Sequence, residues 1–121
     1  MNNIIPINMN VNNMTDSELL KNFNKEFPPF GKMNYYAIFA KRITKFKEIL
    51  KEEILNNENN IESAMGIIKI SWIPLIAILC YAKEENEKKA FINLVKNSWS
   101  DSHFEDFKNF IKDDNNLGKY I

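Results

Sequence analysis

The side chains that most often move protons or hold metals are scarce in this chain: one imidazole, His103, and one thiol, Cys80, in 121 residues. His103 stands between Asp101 and Glu105, whose carboxylates would raise its pKa and suit it to general acid or base work. The same residues also read as the solvated first turn of a helix, which needs no chemistry. Cys80 lies between Leu79 and Tyr81 in the most apolar stretch, where a thiol stays protonated and inert, so it reads as a core residue. A lone cysteine excludes a disulfide framework and a cysteine-rich zinc site. Gly31, Gly66 and Gly118 are too dispersed for a phosphate-cradling loop. Two carboxylate pairs, Glu48 with Glu52 and Glu58 with Glu62, have the spacing that holds a metal when it faces a core. Here the first falls on a lysine-bearing face and the second at a loop edge. The expectation is a protein that is not an enzyme, with no metal and no cofactor.

Sixteen basic residues balance sixteen acidic ones, and the basic set is fifteen Lys and the single Arg42. With a sequence pI near 6.6, no whole-molecule field draws the chain onto nucleic acid or anionic lipid. One guanidinium also leaves little scope for bidentate base or phosphate recognition. The first 13 residues carry six Asn and no basic residue, unlike a secretory signal, so the expected location is cytoplasmic. The apolar run Ile70 to Ala82 spans only about 20 Å as a helix, against a hydrocarbon core of roughly 30 Å, and reads as a buried central helix.

These residues must be positioned by helices. Thr15-Asp16-Ser17-Glu18 fits a capping box opening a first helix, which Pro28-Pro29 should stop. Tyr35, Phe39, Ile43, Phe46, Leu50 and Ile54 recur at steps of three and four, predicting one long amphipathic helix over Asn34 to Asn56. Asn60 is a natural cap for a short helix over Ile61 to Ile70, and Ser71 for the apolar one, with Pro74 tolerated in its first turn. Ala90, Phe91, Leu94 and Val95 mark the inward face of the next. A last helix starting at Ser100 or Ser102 buries Phe104, Phe107, Phe110 and Ile111. The predicted fold is all-α: a single-domain irregular or orthogonal bundle of five to six helices around a central apolar helix at about 71–83. Residues 1–14 form a flexible Asn-rich leader, 15–114 the helical domain and 115–121 a short tail. Alternation over Ile5 to Asn12 has a strand period, but a frayed terminus fits better, and a start at Met14 would make the segment dispensable.

Two features bear on partners. Arg42 falls inside the apolar arc of its helix, where it must snorkel, stack on a ring such as Phe46, or pair with a carboxylate from elsewhere; a partner-facing arginine is the alternative. The zero net charge also conceals an asymmetry, because residues 58–121 hold ten acidic against eight basic groups. Glu84, Glu85 and Glu87, then Asp101, Glu105 and Asp106, would give the last helices a mildly acidic face, with Trp99 or Tyr120 as an aromatic anchor.

In size, helical profile and its excess of Lys, Asn and Ile over Arg, the chain resembles a small helical immunity protein of the bacterial toxin–immunity type, including those of contact-dependent growth-inhibition systems. The resemblance rests on profile and not on a motif. It implies a protein partner, a cognate toxin such as a nuclease, neutralised by steric binding. Two alternatives remain: a small nucleic-acid-associated regulator using the Lys41–Lys51 helix, whose interleaved Glu48, Glu52 and Glu53 weaken that reading, and a membrane-associated immunity protein using Ile70 to Ala82.

Overall fold

The computed structural model describes residues 5–26, 30–56, 59, 63–65 and 68–121. The fold is all-α. Among the described residues the helices include α1 (Met9–Asn12), α2 (Asp16–Phe23), α3 (Phe30–Lys41), α4 (Ile43–Leu55), α5 (Trp72–Tyr81), α6 (Glu85–Ser98) and α7 (Asp101–Ile111), followed by a 3-10 turn at Gly118–Tyr120. Phe27, Pro28, Pro29, Glu58, Asn60, Ile61, Glu62 and Gly66, on which several expectations rested, lie outside the described residues.

The apolar segment forms α5, buried from Trp72 through Leu79. Helix α3 packs against it more extensively than any other pair of elements, and every residue from Tyr35 to Ala40 is buried. The centre is therefore two helices apolar on all sides, not one. This is why the long amphipathic helix expected over 34–56 is in fact broken. Tyr36, Ala37, Ile38 and Ala40 fill the faces between the regular stripe, so α3 belongs to the interior while α4 lies on its edge. The break falls at Arg42, whose backbone leaves the helical region (φ −111°, ψ 39°). Phe39 and Phe46 stack across it with ring centroids 4.5 Å apart.

Helix α2 starts as its sequence requires: Thr15 Oγ1 accepts from the Glu18 N–H at 3.2 Å, and Glu18 Oε1 accepts from the Thr15 N–H at 2.9 Å. That backbone bond, with the hydroxyl contact, holds the Glu18 carboxyl below its ordinary pKa. Helix α7 takes Ser100 as its cap, with Ser100 Oγ accepting from the His103 N–H.

Three expectations are corrected. The short helix over 61–70 is replaced where described by an antiparallel ribbon, β1 (Ser63–Met65) with β2 (Ile68–Lys69), pairing Ser63 with Lys69 and Met65 with Ile68. Short apolar runs carry no period that separates helix from strand. The leader expected to be flexible is packed from Ile5 on: Ile5 and Val11 are 2% and 5% exposed and belong to the core, and the Tyr81 hydroxyl donates to the Ile5 carbonyl. Its alternation is not a strand, because Asn8 caps the one-turn helix α1 through the Val11 N–H. The tail also docks. Asp114 Oδ1 accepts from the Asn116 and Leu117 N–H groups, Leu117 is buried, and Gly118 passes so close to Lys112 that a Cβ there would lie 2.6 Å from its carbonyl oxygen.

Among the described residues no helix is long and apolar enough to cross a membrane.

Candidate functional site

The residues expected to face a partner separate into three groups. Arg42 is committed inside the fold: its guanidinium donates to Asp16 Oδ1 and to the Asn12 carbonyl, both at 2.9 Å, clasping the leader to the α3–α4 junction. Glu87 is likewise engaged, with Lys47 Nζ 3.0 Å from its Oε2, a bridge from α4 to α6. Trp99 is not an anchor for a partner. It is 6% exposed and its indole N–H donates to the Ile54 carbonyl at the end of α4, so it anchors the α6–α7 corner to the bundle. Nothing local in the sequence marks that carbonyl, 45 residues away, as its acceptor.

The second group is at the N-terminal end of α6. Glu84 is exposed, and Glu85 accepts from the Tyr120 hydroxyl at 2.8 Å while Lys88 sits 3.4 Å away. The phenol bond, aided by Lys88 and Lys119, holds the Glu85 carboxyl below its ordinary pKa. Lys88 and Lys119 also flank the Tyr120 ring, with ammonium groups 5.6 and 5.2 Å from its centroid. Carboxylates and ammoniums nearly cancel here. A notch of about 280 Å³ opens beside them, lined by Leu79, Cys80, Lys88, Asn116, Lys119 and Tyr120. Cys80 is half-buried rather than a full core residue, and burial, with Asp114 adding to it, pushes its thiol pKa up.

The third group is on α7. Asp101, Glu105 and Asp106 are exposed, and of these only Glu105 has a cation among the described residues, Lys108 at 3.2 Å. The acidic residues therefore do not form one patch. Helix α6 stands between Glu84 and Asp101, and its fourteen residues rise roughly 20 Å. The basic face of α4 is largely neutralised: Lys47 pairs with Glu87, and Lys51 lies 3.7 Å from Glu48. Among the described residues no three His, Cys, Asp or Glu side chains gather where a metal ion would sit.

His103 is not the solvated first-turn residue its neighbours suggested. Its Nε2 lies 3.3 Å from the Trp72 indole nitrogen and 3.3 Å from Ser71 Oγ, and its ring meets Trp99 edge to face at 4.3 Å. Ser71, expected to cap α5, makes no side-chain cap bond and is the sole polar residue among the described ones to be wholly buried. Burial lowers the His103 pKa and Lys69 adds to the effect, while Asp106 opposes it. A serine beside an imidazole invites comparison with a nucleophile and its base. Here, however, the hydroxyl is fully buried and the imidazole nitrogen facing it already accepts from an indole, so the arrangement is a packed joint. The spacing does not foretell it, because Trp99 ends α6 and His103 lies beyond the Ser100 cap on α7, so the two share no helix face.

No family model matches the chain, and neither a curated protein nor a solved structure matches it.

Proposed function

We propose that this chain is a non-enzymatic protein-binding module, of the immunity or antitoxin type, that neutralises a bacterial toxin by covering it. A nuclease toxin of a contact-dependent growth-inhibition system is the candidate partner, because a nuclease presents a basic substrate groove. The observation that carries the reading is the outer face of α7, where Asp101 and Asp106 are exposed without an ion pair among the described residues. Rim carboxylates of this kind chiefly speed encounter and set specificity. A standard interface of about 800 Å² per partner is wide enough to reach from α7 to Glu84 and Glu85 as well. The membrane alternative gains nothing from α5, whose ten residues run about 15 Å.

Co-expression with the product of the adjacent reading frame tests the proposal. The expected result is a stable complex in which the toxin is inactive, and at least tenfold weaker association for Asp101→Lys with Asp106→Lys. A monomer that neither binds nor inhibits that product overturns it. Binding to duplex DNA with a steep salt dependence would instead favour the regulator reading through Lys41 and Lys45.

A further inference from the structure

His103 joins three elements at one point. Trp72 and Ser71 bring the start of α5, Trp99 brings the end of α6, and His103 itself is the third residue of α7. An indole N–H can only donate, so the imidazole nitrogen it meets, Nε2, must be the one without a proton, and the ring proton sits on Nδ1. The Ser71 hydroxyl lies 3.3 Å from the same nitrogen and can donate to it or accept from it. The indole can only donate, and with Trp72 at 3% exposure its N–H has no water to turn to if that acceptor is lost.

We propose that His103 is an acid-sensitive lock: a proton arriving on Nε2 sets the indole N–H of Trp72 against an imidazole N–H, removes the acceptor Trp72 relies on, and releases the first turns of α7 from α5. The charges around the ring agree with this. Lys69 on β2 and the amino-terminal end of α7 both disfavour an imidazolium, and Asp106 on α7 is the one charge among those acting on the ring that favours it. Burial shifts its pKa downward as well. The rest of α7 keeps Phe107 and Phe110 against Trp72, with centroids 5.8 and 5.4 Å away, so the release is local to the corner. The lock is independent of the proposed partner, because it lies wholly within this chain's packing.

The test uses the full chain and its two tryptophans, both of which contact His103. An NMR titration of the His103 ring should give a midpoint below the ordinary 6.5, with the neutral form protonated on Nδ1. Tryptophan fluorescence should change over the same pH range while far-UV circular dichroism holds. The fluorescence step should vanish in His103→Gln, whose amide oxygen still accepts from the indole, and the midpoint should rise toward 6.5 in Trp72→Phe. A midpoint at or above 6.5, a neutral ring protonated on Nε2, or a fluorescence step unchanged in His103→Gln overturns the proposal. The wild-type titration decides the matter should either variant fail to fold.

Discussion

The α3–α5 centre and the α5–α7 corner share α5 yet are held together by different physics. Where α3 packs on α5 the buried residues are apolar, Tyr35 to Ala40 on one helix and Leu75 to Leu79 on the other, while Phe23 meets Phe39 edge to face and Phe39 stacks on Phe46. Burial of such side chains contributes roughly 1.5–3 kcal/mol each and has no preferred direction. At the corner, few atoms carry the arrangement, and each has one partner: Trp99 with the Ile54 carbonyl, Trp72 and Ser71 with His103. The centre supplies stability in bulk. The corner specifies how the last helix is seated, and one of its acceptors, the His103 imidazole, is titratable.

The largest expected separation between the two comes from Phe39→Ala. Removing a ring fully buried between Phe23 and Phe46 should cost about 3–5 kcal/mol in urea denaturation, equally at pH 8 and pH 5.5. A loss that differs between those pH values would couple the centre to the corner and erase the distinction. Trp99→Phe is smaller. It strips the donor from a buried carbonyl, with an expected cost of about 1–3 kcal/mol. Because it also changes the ring packed against His103, the near-UV circular dichroism of the remaining Trp72 should change, which Phe39→Ala would not produce at the corner.

The smallest effect is on the pH dependence of the wild type. The His103 ring in the folded chain gives up its proton more readily than in the unfolded one. The unfolded state thus binds more protons below about pH 6.5, so stability is full above that value and declines as pH falls through it toward the folded pKa. Denaturant midpoints measured from pH 8 to 5 should follow that decline, and His103→Gln should flatten the part of the curve nearest 6.5.

The sequence showed the edge of the molecule better than its middle. Thr15 with Glu18 and Phe107 with Ile111 combine a cap or a clean 3.6-residue period with a polar opposite face, and both became the helices expected of them, while the stripe Phe46, Leu50 and Ile54 became the second part of a helix expected to run unbroken over 34–56. In α3 the signal failed, because a helix apolar all round has no face to read and its period fits a longer helix equally well. The place of Arg42 in the apolar arc leaves snorkelling, stacking on a ring, a carboxylate or a partner all open, and only the fold brings Asp16 and the Asn12 carbonyl to it. The site was less legible. Exposed Asp101, Glu105 and Asp106 follow from their place on α7, whereas the burial of Trp99 and the pairing of Glu87 with Lys47 depend on contacts 45 and 40 residues apart.

The clasp on the leader has a consequence for the order of events in folding. Its contacts reach far along the chain, from Asn12 to Arg42 across 30 residues and from Ile5 to Tyr81 across 76, and its one-turn helix is too short to stand alone. Contacts of such long reach are expected to form after α3 and α5 are in place, so the leader is expected to open without the rest unfolding, which faster amide exchange at Val11 and Asn12 than in α5 would show.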